Sequence, residues 1–424
     1  IMLQKLIGLL KTSDLRKKAL IIIALLLVFR LMATIPLPQV NHEKLVQFFE
    51  ANQIFGLFNI FTGGALSKIS IAFLGIGPYI TASIIMQLLT IVFPNLKELF
   101  YEGTDKERAQ FEQYTRLLTI PLAALQSLGF LSLLRSQGVI TIGSPFDLIR
   151  NIIIATASSI ILMWFGELIT EQKLGNGISL IIFSGIVVNL PRQFFQTFVS
   201  LDPTRVPNLI VFLAMSLLIV LGIVIVARGE RRIKVNYAKQ VRGTKIYGGS
   251  ATYLPMRVNQ AGMIPIIFAM SILMFPQLIG QFLARSQNAI ILKIVSVIKD
   301  FGPNSWAYLV FYFLLVVFFT FFYTSITFEP DSLAENLQKR GGFVPGYRPG
   351  KTTSQFLSAI SRKVTLFGAI FLGLIAILPI ILQRITGITT MAISGASLII
   401  MVEVAIETMR AIEAQLIIRE YEKI

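Results

Sequence analysis

The chain has 424 residues, of which 54% are hydrophobic and 14% are charged. Soluble domains are roughly 45–50% apolar and about 25% charged, so this composition argues against a soluble enzyme and indicates a membrane protein. The absence of cysteine excludes disulfides, cysteine-ligated metals and thiol catalysis. The single histidine, His42, argues against Ser–His catalysis and multi-histidine metal sites. We therefore expect no catalytic residues, no metal and no cofactor.

Ten apolar runs approach or reach the length of about 20 residues that crosses a bilayer. The first run follows several basic residues, as a signal peptide would, but it is too long and lacks a small-residue cleavage site. The fifth run is short unless it continues through Phe194 and Phe195. The ten predicted spans are 19–35, 72–92, 115–134, 148–169, 178–190, 209–227, 259–283, 305–326, 364–382 and 391–409.

Lysine and arginine positions predict the orientation of these spans. One side carries 27 of the 38 basic residues and the other side carries 10, while Arg30 lies within the first span. Both termini, including the tail 411–424, are therefore predicted to be cytoplasmic. Two long basic loops, 228–258 and 327–363, lie on the same side. Their charge is explained either by topology and anionic headgroups or by docking of a cytosolic partner.

The ten spans divide into two halves, 1–190 and 209–410, joined by an external hinge at 191–208. Five spans per half would make the halves inverted repeats. Spans 2 and 7 would then correspond, and each contains Gly-x-x-Pro near its start, at 75–78 and 262–265. Paired interruptions favour a substrate path between the halves, although proline kinks are also common in buried spans.

Another apolar stretch, residues 55–71, precedes span 2 and is broken by Thr62-Gly63-Gly64. It cannot be an additional span without reversing the charge pattern. We therefore predict a half-helix at about 64–70 that re-enters the protein, where irregular backbone is tolerated if it is buried or lines a cavity. The alternative is an amphipathic helix on the outer membrane surface.

Isoleucine pairs mark the suspected path. Ile76 and Ile80 are four residues apart, as are Ile178 and Ile182, so each pair shares a helix face. A ring of such side chains would form a hydrophobic constriction that excludes ions. The alternative is that they pack between helices or face lipid.

Charged residues within the spans are few. Arg30 is expected to pair with a carboxylate or to extend toward the interface, and Glu403 is a candidate proton site. A secondary transporter should have buried ion ligands near the midplane. An intramembrane hydrolase should have a Ser–His or paired-aspartate constellation within its spans. The predicted spans offer little of either kind, so both alternatives have weak support.

Ten motifs along the chain occur in the same order in one known family. They are VFR (28–30), NIFTGGALS (59–67), PYITASIIMQLL (78–89), QYTR (113–116), MWFGE (163–167), GNGIS (175–179), ERRI (230–233), VNYAK (235–239), VNQAG (258–262) and VPGYRPG (344–350). Together they resemble the SecY family of channel-forming translocase subunits over nearly the whole chain. Several long motifs in order make this resemblance specific.

The resemblance implies an all-α polytopic membrane protein with ten transmembrane helices in two inverted pseudosymmetric halves. A re-entrant plug half-helix would lie at about 58–70. The function implied is a protein-conducting channel of the bacterial plasma (inner) membrane rather than an enzyme. Such a channel passes unfolded secretory proteins across the membrane and releases hydrophobic segments of membrane proteins into the lipid bilayer.

The resemblance also implies roles for individual residues. The pore ring would consist of six isoleucines: Ile76, Ile80, Ile178, Ile182, Ile267 and Ile400. The plug would include Phe61, Thr62, Gly63, Gly64, Ala65, Leu66 and Ser67. The polar residues of a lateral gate at spans 2 and 7 would be Thr81, Ser83, Gln87, Asn259 and Gln260. For the gate residues, ordinary interhelical hydrogen bonding is the other interpretation.

Partners are implied in the same way: the companion subunits SecE and SecG, the SecA ATPase motor and the ribosome. The cytoplasmic docking residues would be Arg242, Lys245 and Arg348. Thr244-Lys245 stands where family members often have a basic pair, which leaves the contact residues of that loop open, and Gly77 replaces a bulkier residue before Pro78. The chain lacks a phosphate-binding Gly-x-x-x-x-Gly-Lys-Ser/Thr motif, so driving energy is expected from a partner.

Overall fold

The computed structural model describes residues 13–51, 62–141, 143–199, 206–237, 239–242, 245–248, 251–283, 295, 301, 305–386 and 395–422. Within them, a helix covers most of each predicted span. The helices are α1 (Ser13–Met32), α2 (His42–Ala51), α3 (Gly77–Val92), α4 (Pro94–Lys97), α5 (Asp105–Ser136), α6 (Pro145–Glu171), α7 (Gly177–Val199), α8 (Val206–Arg228), α9 (Ile264–Leu283), α10 (Trp306–Thr327), α11 (Pro330–Lys339), α12 (Lys351–Thr386) and α13 (Gly395–Glu422).

Among the described residues, six helices are long and apolar enough to cross a membrane: α5, α6, α7, α8, α10 and α12. Helix α3 and the first part of α9 are apolar but shorter. Helix α1 carries four basic residues in its 20-residue length, which lowers its apolar content. The chain is therefore a multi-pass membrane protein.

Two compact units divide the chain. Unit 1 comprises Ile1–Ser200, Gly280–Val295 and Val404–Ile424, and unit 2 comprises Leu201–Ile279 and Ser296–Glu403. In unit 1, α5 packs against both α3 and α6, and α6 packs against α7. In unit 2, α12 packs against α8, α10 and α11.

The chain after α1 supports the segment that precedes α3. The amide of Leu37 donates to the carbonyl of Ile69 at 2.9 Å, and the amide of Ile71 donates to the carbonyl of Ile35 at 2.9 Å. These hydrogen bonds are strand-like, and a bridge between Pro36 and Ser70 lies among them. They position the region where the plug is expected.

The half-helix predicted at 64–70 is present only as a single 3-10 turn, Leu66–Lys68. Its neighbours prevent a longer helix because Gly63 and Gly64 have φ of 66° and 83°, and Ile69 has φ of 41°. These values belong to the left-handed region, which does not continue a right-handed helix. The prediction of a half-helix was therefore wrong for the described part of this segment.

The two Gly-x-x-Pro motifs mark helix starts rather than interruptions within helices. Gly75 and Gly262 both have positive φ, 58° and 62°, and Pro78 and Pro265 each occupy the second residue of their helix. Proline is tolerated in a first turn because its missing N–H would have no intrahelical partner there. The glycine turns the chain and the proline begins the helix.

The predicted hinge at 191–208 was wrong in part, because α7 continues through Pro191 as far as Val199. The fifth span thus includes Phe194 and Phe195, as its length required. The next described residue is Val206, where α8 begins.

The two basic loops, 228–258 and 327–363, contain strands, which corrects the all-α prediction. The strands are β1 (Glu230–Tyr237), β2 (Lys239–Arg242), β3 (Lys245–Gly248), β4 (Ala251–Arg257) and β5 (Gly342–Phe343). They form an antiparallel sheet with the order β4-β1-β5 and a separate β2-β3 hairpin. Because β5 belongs to the loop 327–363, the two basic loops share one sheet.

A small apolar core holds this sheet against α12. Ile233 and Val235 alternate on β1, are at most 5% exposed, and pack with Leu357 of α12. Met256 of β4 and Val344 complete the buried cluster. Because both loops are predicted to be cytoplasmic, we call this assembly of residues 230–257 and 330–360 the cytoplasmic subdomain.

Candidate functional site

We call the segment predicted to be a plug, residues 58–70, the plug segment; it is described from Thr62 onward and contacts α1 and α7. A Cβ added to Gly185 of α7 would lie 2.1 Å from Cα of Gly63, and a Cβ added to Gly63 would lie 2.6 Å from Cζ of Phe29. Such distances are too short for any side chain, so both glycines are required for this contact. Phe61 and the residues before it lie outside the described residues.

The plug segment is buried as well as close-packed. Thr62, Ala65 and Leu66 are at most 1% exposed. The hydroxyl of Thr62 accepts a hydrogen bond from the amide of Leu66 at 3.2 Å, and Gly64 faces the amide group of Asn189. The segment is therefore part of the interior of unit 1 and not a helix on an outer surface. Ser67 lies within its 3-10 turn.

Arg30 joins the plug segment to α7. Its Nη1 donates to the carbonyl of Gly63 at 2.7 Å, and its Nη2 donates to the carbonyl of Ser184 at 2.6 Å. The guanidinium also lies 5.3 Å from the ring centroid of Phe29. The hydrogen-bond partners of Nη1 and Nη2 of Arg30 are thus backbone carbonyls, whereas the sequence predicted a carboxylate or the membrane interface.

The six isoleucines predicted as a pore ring are divided between the units. Unit 1 contains four and unit 2 contains Ile267 and Ile400. Ile76 is the residue before α3, yet its carbonyl accepts from the amide of Ile80 at 3.1 Å, so the shared face is retained. Four of the six are fully buried, and the other two are partly buried. The buried ones are Ile76, Ile182, Ile267 and Ile400, and the partly buried ones are Ile80 and Ile178.

The predicted gate residues of span 2 make hydrogen bonds within unit 1. Thr81 accepts from Gln126 of α5 at 3.3 Å and donates to the carbonyl of Gly77. Ser83 accepts from Nε2 of Gln87 at 3.4 Å within α3. The contact between Thr81 and Gln126 is an interhelical hydrogen bond of the ordinary kind.

The predicted gate residues of span 7 lie just before α9. The side-chain nitrogen Nδ2 of Asn259 donates to the carbonyl of Gly262 at 3.1 Å and also to Oε1 of Glu403. The Oε1 atom of Gln260 is buried and has no hydrogen-bond partner among the described residues. Glu403 thus orients a turn at the start of span 7, a role that differs from the predicted proton site.

The predicted docking residues belong to the cytoplasmic subdomain and its hairpin. Arg242 and Lys245 are paired across the β2-β3 turn. Arg348 is exposed in a turn that begins with a hydrogen bond from the amide of Tyr347 to the carbonyl of Val344, 3.1 Å. Its carbonyl accepts from the hydroxyl of Thr353 at 2.8 Å. Arg348 therefore lies in an exposed turn whose backbone is held by hydrogen bonds.

Two features of the structure were not found from the sequence. The alternation of Ile233, Val235 and Tyr237 with polar residues is a strand signal that could have revealed β1. A charged residue in a span indicates polar partners nearby, but the partners of Arg30 are backbone atoms, which carry no sequence signal. Among the described residues, no group of three His, Cys, Asp or Glu could hold a metal.

Comparison with known proteins decides the family. A family model described as SecY matches residues 70–409. The chain belongs to the SecY family. Proteins named protein translocase subunit SecY are similar over almost the entire chain. The one from Mycobacterium bovis is 40% identical, covering 99% of this chain and 99% of the relative. The one from Thermus thermophilus is 42% identical, covering 97% and 95%.

Solved structures share the fold. A structure titled as that of a protein conducting channel has a TM-score of 0.63 and 18% identity, with 93% of this chain and 91% of that chain covered. Sec61 in the canine ribosome–channel complex has a TM-score of 0.61 with the same identity and coverage. SecY-family membership and this fold agree with the long apolar helices described above.

Proposed function

We propose that the chain is the channel of a protein translocase, which passes unfolded secretory proteins across the membrane. The observation that carries this proposal is the 40% identity to translocase subunits over 99% of both chains. We further propose that ten helices cross the bacterial inner membrane in two inverted halves of five, with both termini cytoplasmic. Hydrophobic segments of the substrate would leave laterally at spans 2 and 7.

The proposed pore must admit varied polypeptide segments while it blocks ions. Isoleucine side chains suit this task because they exclude water and make no specific hydrogen bonds to the substrate. We propose that Ile76, Ile80, Ile178 and Ile182 of unit 1 act with Ile267 and Ile400 of unit 2 as one ring. The plug segment would close the resting channel, in line with its burial against α1 and α7.

Partners would supply the driving force and complete the complex. We propose that the cytoplasmic subdomain and the β2-β3 hairpin dock the SecA motor or a translating ribosome through Arg242, Lys245 and Arg348. Loops 228–258 and 327–363 together carry 14 basic and 4 acidic residues, a balance that suits an acidic partner. SecE and SecG would be the companion subunits within the membrane.

The absence of native cysteine permits a direct test of the channel. Ile182→Cys would be co-expressed with the companion subunits, and a secretory precursor carrying one cysteine would be trapped part-way across. We expect a disulfide between the two chains only when precursor and motor are both present. Val188→Cys, on the same helix but 55% exposed, is the matched control and should not cross-link.

Absence of a cross-link from trapped precursor at every precursor cysteine position would contradict the ring. Equal cross-linking of Val188→Cys would show that the substrate does not follow the proposed face of α7. Either result would require the alternative function, a solute transporter, to be tested, although the similarity to translocase subunits does not support it.

A further inference from the structure

A guanidinium inside a membrane-spanning helix is unfavourable unless polar partners surround it. Arg30 lies near the end of α1, and its two terminal nitrogens reach two carbonyls at 2.7 and 2.6 Å. A carbonyl has two lone pairs, so that of Ser184 can accept from Arg30 as well as within its helix. We call the contact of Arg30 with the carbonyls of Gly63 and Ser184 the Arg30 bridge.

The Arg30 bridge holds one end of the described plug segment, and backbone hydrogen bonds hold the other. At Gly63, the adjoining contacts to Gly185 and Phe29 are close backbone and ring packing. At the far end, Ile69 accepts from the amide of Leu37. The first end is therefore contacted by a charged side chain, whereas the second is tied by hydrogen bonds between main-chain atoms.

We propose that the Arg30 bridge retains the plug segment in the closed channel, and that its loss frees the Gly63 end to move about the Ile69 end. This inference rests on the proposed channel function. Charge-assisted hydrogen bonds are roughly twice as strong as neutral ones, so the bridge is a strong yet reversible restraint. Arg30 is a positioning residue, since it acts on the substrate path through the plug segment.

The two available substitutions separate charge from geometry. Arg30→Met keeps a long side chain but removes every donor, so neither carbonyl is held. Arg30→Lys keeps the positive charge but lacks the planar fork that reaches two acceptors in fixed directions. We therefore expect Arg30→Met to free the plug segment fully and Arg30→Lys to free it in part.

A single thiol in the plug segment reports its release. Leu66→Cys places the only thiol of the chain at a residue that is 0% exposed. The measurement is the rate of labelling by a membrane-impermeant maleimide applied from outside, with the companion subunits present and no precursor. The second reporter is Val139→Cys, which is 1% exposed in the loop after α5 and is separate from the plug segment.

We expect Arg30→Met to raise the labelling rate of Leu66→Cys about tenfold, which corresponds to about 1.4 kcal/mol, and to leave Val139→Cys unchanged. Arg30→Lys should give an intermediate rate. Arg384→Met is the control for loss of an arginine, because Arg384 contacts Ser305 and the ring of Trp306. It should change neither rate.

Unchanged labelling of Leu66→Cys in both Arg30 variants would overturn the inference. Parallel acceleration of both reporters would also overturn it, because Arg30 would then support unit 1 in general. If Arg30→Met does not accumulate, the labelling rate of Leu66→Cys in the Arg30→Lys variant tests the inference by itself. Failure of the channel proposal is distinguishable: the Ile182→Cys chain that keeps Arg30 would then not cross-link to the precursor, whatever the labelling rates show.

Discussion

Single polar contacts position the start of span 7. Asn259 donates to both Gly262 and Glu403, and Gly262 has a φ of 62° that suits glycine. A Cβ on Gly262 would lie 3.7 Å from Oε2 of Glu403, so the carboxylate lies directly against the turn. A carboxylate acceptor makes a stronger hydrogen bond than a neutral one, and it therefore fixes the turn from which α9 begins.

Glu403→Ala should lower the free energy of unfolding by about 1.5–3 kcal/mol, the range for hydrogen bonds to charged groups. Glu403→Gln keeps an acceptor oxygen and should lower it less. Denaturant unfolding of the purified complex in mild detergent measures both. In a double-mutant cycle, Asn259→Ala should have a smaller effect in the Glu403→Ala background than alone. Strict additivity of the two effects would show that this contact contributes nothing.

At the scale of elements, the sheet of the cytoplasmic subdomain depends on α12. Strand β1 pairs with β4 along its length, but β5 contributes only two residues. Apolar packing must therefore supply the stability that the few hydrogen bonds to β5 do not provide. Leu357 is 0% exposed within the cluster that joins the strands to α12, and the ring of Tyr347 stacks on Phe356 at 4.0 Å. The turn bearing Arg348 is thus held by the same helix that continues into the membrane.

Leu357→Ala should destabilise the cytoplasmic subdomain by about 2–5 kcal/mol, because it leaves a cavity in a small core. Hydrogen exchange should accelerate in β1 and β4, and docking of the motor should weaken. Gln355→Ala, at an exposed position of the same helix, is the control and should leave both unchanged. Exchange that stays as slow in β1 as in the unaltered protein would show that the sheet does not need this core.

At the scale of the whole molecule, charge determines the expected orientation. The side predicted to be cytoplasmic carries 27 basic residues against 10 on the other side. The strands and the predicted docking residues belong to the two loops assigned to that side. Lysine and arginine are retained on the cytoplasmic side during insertion.

Single-cysteine labelling tests the orientation in intact cells. Glu43→Cys, at an exposed position of α2, should react with an impermeant maleimide from outside. Tyr253→Cys and Gln338→Cys, both exposed in the cytoplasmic subdomain, should react only after the membrane is permeabilised. External labelling of Tyr253→Cys together with protection of Glu43→Cys would reverse the proposed topology.

The sequence alone determined where the helices form and which family the chain resembles. Long apolar runs require helices in a bilayer because every backbone polar group must be satisfied within the segment. For that reason the apolar run after Gly177 was expected to extend through Phe195, and helix α7 includes Phe195. Spacing likewise placed Ile76 and Ile80 on one face, and motif order indicated the SecY family.

Only the tertiary structure showed which residues that are distant in the sequence contact one another. The partners of Arg30 are carbonyls 33 and 154 residues away, and a backbone carbonyl leaves no trace in a sequence. Positive φ values at Gly63, Gly64 and Ile69 reduced the predicted half-helix to one turn. The strand β5 formed only because β1, more than 100 residues earlier, offered it an edge. Each of these outcomes depends on which segments meet in space, and local propensity does not contain that information.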